Sequence, residues 1–408
     1  MVSRERLTIC VAACTLPVAA AHAEYLGNIS GNSFNPAISL ILDGKYTSYD
    51  SDPEDYRIPG FQLGPEAELA PGGFSAQHSE LAISANVDDW FYGALTAALA
   101  THEGETSVEL EEAYIETLAL GAGFKLKAGR FYSGVGYLNQ QHAHRWDFAD
   151  TALVYRALFG NQLSDDGVQL SWVAPTDVYL MLGAEISRGE RFPAAGAAND
   201  GAGAASAFAK VGGDVGDSHA WQAGLSYWSA DVEGRESGGD AHDGGPSETA
   251  SFTGDSTLYG LDVVWKWAPH GNPQRRNLKL QFEYFARDES GDVELVGSDP
   301  LETSSYDGTQ RGWYAQAVYQ FIPRWRVGLR YDQLEADNDG SDPAVLAEAG
   351  LDDEGYTPQR YAVMVDYSHS EYSRLRLQYN RDESYPEADN QWVLQYVMSL
   401  GAHGAHRF

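Results

Sequence analysis

The chain has 408 residues, of which 43% are hydrophobic and 12% aromatic, and it carries 59 acidic against 27 basic side chains. The resulting net charge of −32 excludes nucleic acid as a partner, because the phosphate backbone would be repelled. Mean hydropathy is −0.38, and beyond the N-terminal segment no apolar run approaches the roughly 20 residues of a membrane-spanning helix. Strands remain as a means of crossing a membrane, since only every second side chain of a strand then faces lipid.

The N-terminal segment has the pattern of a secretory signal peptide. Basic residues precede an apolar stretch, and Ala21-His22-Ala23 forms a cleavage site of small residues. We therefore expect residues 1–23 to be removed and residues 24–408 to form the mature protein. Both cysteines, Cys10 and Cys14, lie in the removed part, which excludes disulfides and thiolate metal sites from the mature chain. Cleavage before Cys14, as in a lipoprotein, is the alternative at this end.

From there to the C-terminus, the sequence predicts amphipathic strands separated by turns and loops. Apolar and polar side chains alternate with a period of two, and short turns alternate with longer polar loops. Eight loops and seven turns join sixteen strands, which predicts an all-β fold, a transmembrane antiparallel β-barrel of about sixteen strands around an aqueous channel. The predicted loops lie near 50–76, 102–106, 132–165, 189–204, 232–254, 291–308, 336–357 and 384–389.

The third of these loops, 132–165, lies between strands 5 and 6 and is among the longest. It contains a predicted helical turn around Asp150 to Phe159. In sixteen-stranded porins the third loop folds into the lumen and narrows it, and we expect the same of this constriction loop. Arg145, Asp147 and Asp150 are its candidate pore charges.

His142 and His144 in the same loop, together with Asp147, are candidate metal ligands. Imidazole nitrogen and carboxylate oxygen both suit Zn²⁺, so the sequence offers a three-ligand zinc site. The alternative is that these side chains only hydrogen-bond the loop to the barrel wall.

Further candidate selectivity residues lie on predicted strands. Rings or ladders of charge set selectivity in pores, and opposed acidic and basic walls would produce a field across the channel. The alternative is that the charges pair with one another structurally. The acidic candidates are Glu109 and Glu116, on an early strand with a predicted bulge at 111–112, and the basic candidates are Arg324, Arg326, Arg330, Arg374 and Arg376.

The last predicted strand, 391–400, shows the alternation most clearly. Trp392, Leu394 and Tyr396 share one face, and Gln391 and Gln395 share the other. The same phase puts the final residue, Phe408, on the apolar face. A final amphipathic strand that ends in Phe resembles the sorting signal of outer-membrane barrels.

Several segments resemble a known family: FNPAISLILDGKY, NVDDWFYGALTAAL, ELEEAYIETL, KLKAGRFYSGVGYLNQQHAHRWDFAD and SLGAHGAHRF. They are similar to proteobacterial proteins described as zinc-regulated outer-membrane receptors or porins, and more distantly to phosphate-selective porins. The resemblance implies an outer-membrane barrel with a link to zinc supply. TonB-dependent receptors, with which that family is sometimes grouped, have a plug inside a 22-stranded barrel. The first predicted strand begins near Pro36, which leaves no room for a plug.

The expected function is a porin-type channel of the bacterial outer membrane for small hydrophilic solutes or ions. The alternatives are a receptor that captures zinc, similar to TonB-dependent receptors but without the plug, and a structural or adhesive barrel. We expect no enzyme, because no nucleophile and base occur in a credible context, and no required cofactor, with zinc as the candidate ligand. Expected partners are outer-membrane lipids and lipopolysaccharide. A homotrimer is a candidate assembly, because many sixteen-stranded porins are trimers.

Overall fold

The structure is a computed structural model, and it describes residues 36–102, 105–195, 201–237, 249–298 and 300–401. The predicted signal peptide and Phe408 lie outside these ranges. Within the described residues, no helix is long and apolar enough to cross a membrane.

The described part of the chain forms seventeen strands and two short α-helices, α1 (Leu153–Phe159) and α2 (Pro343–Glu348). Short 3-10 turns lie at Pro53–Asp55, Pro65–Ala67, Ala143–Arg145 and Pro269–Gly271. The strands are β1 (Ala37–Ser48), β2 (Gly73–Ser75), β3 (Glu80–Asn86), β4 (Phe91–His102), β5 (Glu105–Thr117), β6 (Phe124–Tyr132), β7 (Ser164–Val173), β8 (Tyr179–Ser187), β9 (Ala204–Val215), β10 (His219–Ser237), β11 (Thr249–Trp267), β12 (Asn277–Val296), β13 (Glu302–Ile322), β14 (Trp325–Gly340), β15 (Gln359–Ser370), β16 (Ser373–Glu383) and β17 (Asp389–Gly401).

Sixteen of these strands close into an antiparallel barrel. From β3 to β17 each strand pairs with the next, and β1 closes the ring by pairing with β17 on one side and with β3 on the other. The short β2 pairs only with β1, beside β3. Closure gives every barrel strand a neighbour on both sides, so that none of the sixteen is an edge strand, as a lipid environment requires. The predicted all-β barrel of sixteen strands is therefore confirmed.

The two faces of the strands follow the predicted alternation. On β17, Trp392, Leu394 and Tyr396 are 45–50% exposed on the outer surface, whereas Gln391 and Gln395 are almost completely buried on the inner one. The same inward and outward phase holds on β12, β14 and β16. The outer surface of these alternating segments is thus apolar, as contact with lipid requires.

Three predicted loops are shorter than expected, because the strands beside them continue. Strand β10 runs to Ser237 and β12 runs to Val296, inside the predicted loops 232–254 and 291–308; β14 enters 336–357. In these extensions the polarity is reversed: Phe252 and Val293 are buried inside, while Asp255 and Asp292 are exposed outside. A strand that rises above the lipid faces water on its outer side, so its acidic composition resembles that of a loop.

A single long segment, residues 133–163, crosses the interior of the barrel between β6 and β7, the fifth and sixth barrel strands; we call it the inward loop. All residues of its helix α1 are buried. The helix packs on Phe285, Tyr314 and Leu334 of the wall, and Ile58 and Phe61 from the segment after β1 belong to the same cluster. The polar inner face is therefore largely covered by protein, where we had expected open water.

Candidate functional site

Wall carboxylates hold the inward loop by accepting its backbone N–H groups. Glu283 on β12 accepts hydrogen bonds from the Tyr137 and Leu138 amides (2.7 and 3.0 Å) and from the Tyr155 hydroxyl (2.7 Å). Glu185 on β8 accepts from the Gly134 amide at 2.7 Å. Each of these buried donors would lower the stability of the fold by about 1–3 kcal/mol if it had no acceptor. Neither anchor has a local sequence signal, because each lies far along the chain from the loop residue that it holds.

The predicted loop charges pair with predicted wall charges. Asp147 accepts from Lys279 at 3.0 Å and from Arg326 at 2.9 Å, and Arg326 also pairs with Asp366. Burial alone would raise the pKa of Asp147, but the two cations hold it below its usual value. The carboxylate therefore stays ionised and fastens the loop to β12 and β14.

Asp150 makes a second such contact, with Arg330 at 2.9 Å and Arg360 at 3.2 Å. Arg376 is fully buried and donates to the Trp146 carbonyl and to the Gln395 side chain. These three side chains therefore bind other groups of the protein, which is the arrangement expected if the charges pair with one another structurally: Asp150, Arg330 and Arg376.

The remaining predicted arginines lie nearer to open space. Arg374 donates to the His144 carbonyl at 2.6 Å and lines a cavity that Arg145 and Arg326 also line. Arg324 does not lie on a strand face as expected: it lies in the turn after Ile322, exposed and with a φ of +74°. Arg324 is a turn residue because only two residues connect the end of β13 to the start of β14.

The predicted bulge on β5 is present. The β4–β5 ladder pairs Thr96 with Glu112 but Ala97 with Leu110, so Glu111 is the extra residue. A bulge changes the direction of the side chains around it, and here both Glu111 and Glu112 reach the inward loop. The two other predicted glutamates on this strand differ: Glu116 pairs with Lys125 at 2.9 Å, and Glu109 lines a cavity.

The bulge brings together a carboxylate–histidine cluster of Glu80, Glu111, Glu112, His142 and His144. Nδ1 of His142 lies 3.1 Å from Glu111 and 3.4 Å from Glu80, and its Nε2 lies 2.9 Å from Glu112. Nδ1 of His144 lies 2.8 Å from Glu80, and the two imidazole rings stack. Burial alone would lower the pKa of His142, but the surrounding carboxylates raise it well above its usual value.

This cluster differs from the predicted zinc ligand set. The structure brings His142 and His144 together, but Asp147 is engaged with two cations instead of with the histidines. The carboxylates beside the histidines come from the barrel wall. Glu80 has no sequence signal, because it precedes His142 by about sixty positions; the bulge at 111–112 was the one local indication.

Two cavities border the cluster. The turn-side cavity, about 1340 Å³, is lined by Glu80, Glu112 and His142 and by turn residues such as Pro323. The loop-side cavity, about 150 Å³, is lined by Glu111 and by loop residues such as Glu66. Tyr132 lines both. The cluster therefore lies where the linings of the two cavities adjoin, one formed with turn residues and the other with loop residues.

Comparison with solved structures agrees with this architecture. The fold matches a loop-deletion mutant of OmpT, an outer-membrane protein of Vibrio cholerae (TM-score 0.55, 13% identity, 90% of this chain and 100% of that one). It also matches the outer-membrane channel DcaP of Acinetobacter baumannii (0.53, 14%, 90% and 97%) and OprB of Pseudomonas putida (0.52, 12%, 90% and 94%). At these identities the likeness concerns the fold.

Comparison of sequences gives one relative that shows the family. No protein-family model matches the chain. A protein of Aquifex aeolicus (strain VF5), described as "Uncharacterized protein", is 32% identical over 428 residues, which cover 97% of this chain and 85% of that protein. The chain therefore belongs to the same family as this Aquifex aeolicus protein, and it folds as a barrel of the outer-membrane porin type.

Proposed function

We propose that this protein is a porin-type channel of the bacterial outer membrane, through which small hydrophilic solutes or ions diffuse. The observation that carries the proposal is a pair of cavities inside a closed barrel with exposed apolar side chains on its outer face. One cavity is lined by turn residues and the other by loop residues, and charged side chains line both beside the inward loop. A barrel that served only as a scaffold or adhesin would not need such cavities. The solved structure of DcaP is described as an outer membrane channel.

Selectivity in this proposal comes from unlike charges on two walls of the turn-side cavity. Glu80 and Glu112 lie on one side with the histidines, and Arg326 and Arg374 line the same cavity from β14 and β16. Opposed charges create a field across the passage, which orients permeating ions and polar solutes. Arg145 lines the cavity from the inward loop itself.

The proposal also includes three expectations from the sequence. These are export through a signal peptide over 1–23, residence in the outer membrane and the absence of an enzymatic role. A trimer is its proposed assembly. One structure of the Vibrio cholerae OmpT barrel is of a trimer form, which supports the idea by analogy of fold.

Reconstitution of the refolded mature chain into planar lipid bilayers tests the channel. We expect steady ohmic conductance steps. Since Cys10 and Cys14 are the sole cysteines of the sequence and precede the predicted cleavage site, a single cysteine can be placed at will. Modification of Gln140→Cys, on the inward loop in the turn-side cavity, with a charged thiol reagent should reduce the current.

The matched control is Leu394→Cys, which lies on the outer face and should leave the current unchanged after the same treatment. A chain that folds but gives no conductance would contradict the channel. If it also bound zinc tightly, zinc capture by a receptor would be the better interpretation.

A further inference from the structure

We propose that a divalent transition-metal ion binds between Glu80, Glu111 and His142 and, when bound, obstructs the passage between the two cavities. The obstruction rests on the channel function proposed above, whereas the metal site stands on its own geometry. The proposal concerns ligands that the sequence pattern did not bring together.

The three ligand atoms are already spaced for a metal ion. One nitrogen or oxygen of each residue lies within 4.8 Å of the others. Nδ1 of His142 is 3.1 Å from Glu111 Oε2 and 3.4 Å from Glu80 Oε2. In a tetrahedral zinc site with bonds of about 2.0–2.2 Å, neighbouring ligand atoms lie about 3.3–3.6 Å apart. Binding therefore requires little movement of these side chains.

The other ring nitrogen of His142 has the partner that a metal ligand needs. A ligating histidine usually donates its second N–H to a carboxylate, which fixes its tautomer and orientation. Here Nε2 lies 2.9 Å from Glu112 Oε2. This contact is independent of the ligand spacing, because Glu112 lies on the opposite side of the ring from Glu80 and Glu111. It directs Nδ1 toward the other two carboxylates.

The ligands come from parts of the chain that are held firmly. Glu80 begins β3 and is held on its other oxygen by His144 at 2.8 Å, and Glu111 is the extra residue of the β5 bulge. The rings of Tyr132 and His142 pack in a T-shaped arrangement. With three protein ligands the ion keeps a coordination position for water, as in exchangeable rather than closed zinc sites.

One imidazole and two carboxylates select the chemical class of ion. Nitrogen ligation favours Zn²⁺, Cu²⁺, Ni²⁺ and Co²⁺ over Mg²⁺ and Ca²⁺, which prefer oxygen in larger numbers. A bound ion would link the inward loop, through His142, to β3 and β5 at the place where the linings of the two cavities adjoin. We therefore expect it to narrow the passage and to stiffen the loop.

Metal binding is measured on the folded barrel in detergent, by calorimetric titration with Zn²⁺ and by the visible absorption of Co²⁺. We expect one saturable site whose affinity falls more than tenfold in Glu111→Gln and in His142→Ala. Glu112→Gln, which removes the orienting carboxylate, should weaken binding by about 10–100-fold. Glu294→Gln, exposed on β12, and His270→Ala, in an exposed turn, are the controls and should bind normally.

Circular dichroism and the heat-dependent shift in gel mobility verify that each variant is folded. Glu111→Gln is nearly the same size as the native residue, so its effect reports ligation instead of misfolding. The site is overturned if folded wild-type protein shows no saturable Zn²⁺ binding, or if binding is equal in wild type, Glu111→Gln and His142→Ala.

The obstruction is measured in planar bilayers by adding Zn²⁺ and then a chelator. We expect the wild-type current to fall and to recover, the Glu111→Gln current to stay constant, and Mg²⁺ to have no effect at equal concentration. A wild-type current that ignores saturating Zn²⁺ overturns the obstruction. A barrel with no current under any condition refutes the channel instead, and the titration in detergent still decides the metal site.

Discussion

Replacing Glu283 with glutamine should release the inward loop from the barrel wall. The side chain is fully buried on β12, and its two oxygens accept from the Tyr137 and Leu138 amides and from Tyr155. A glutamine has a single acceptor oxygen, so one of the two amide hydrogens would face an NH₂ group. The retained bond would also lose the advantage of an ionised acceptor.

The magnitude follows from these contacts. One unpaired buried amide costs about 1–3 kcal/mol, and changing the other bond from a charged to a neutral acceptor costs about 1 kcal/mol. The total of about 2–4 kcal/mol corresponds to a docking equilibrium weakened by about 30- to 700-fold. Helix α1 continues to pack on Phe285 and Tyr314, so we expect frequent local opening with the barrel intact.

Amide hydrogen exchange of the folded barrel measures this opening. In Glu283→Gln, peptides from residues 133–163 should exchange faster by roughly that factor, whereas peptides from the strands should be unchanged. Glu294→Gln on the same strand is exposed and serves as the matched control. Equal exchange of the inward loop in both variants would refute the reasoning that Glu283 anchors the loop.

Three further predictions test other parts of the structure. Arg326→Ala removes a cation from the turn-side cavity and from Asp366, so the reversal potential in a salt gradient should shift toward cation selectivity; an unshifted potential would exclude a role in selectivity. Phe285→Ala removes a fully buried ring that contacts Tyr155 and should cost about 3–5 kcal/mol, seen as a lower temperature of the gel-mobility transition; Phe282→Ala, on the outer face, is its comparison. Leu394→Arg puts a charge on the outer face and should cost about 2–4 kcal/mol if the site is near the membrane midplane, measured by denaturant unfolding in lipid vesicles; unchanged stability would mean that this face does not contact lipid.

The positions of charged residues in the sequence do not show which of those charges remain free to act on a permeating ion. Asp147 and Asp150 on the inward loop were predicted as pore charges, and so were Arg326 and Arg330 on the wall. The structure pairs the two sets with each other. Paired buried charges hold the loop in place, so the charges that remain beside the cavities, such as Arg374, carry more of the proposed selectivity.

Local patterning was sufficient to predict the barrel. The period of two on β12, β14, β16 and β17 reflects a wall with lipid on one side and polar surroundings on the other, and this pattern is present in each strand by itself. The bulge at Glu111 was also visible, because two adjacent glutamates interrupt the alternation. The same method misread the strand extensions at Ser237 and Val296, because beyond the lipid the outer surface faces water and the alternation changes sign.

The sequence by itself determined that the chain alternates between lipid-facing and inward-facing side chains, since that property depends only on neighbours along the strand. It could not determine which inward-facing residues meet, because closure of the ring and the path of the inward loop set those distances. Glu80 lies beside His142, and Glu283 beside Tyr137, across stretches of 62 and 146 positions. Only the tertiary structure could therefore show that Glu80 and Glu111, and not the predicted Asp147, supply carboxylates beside the histidines.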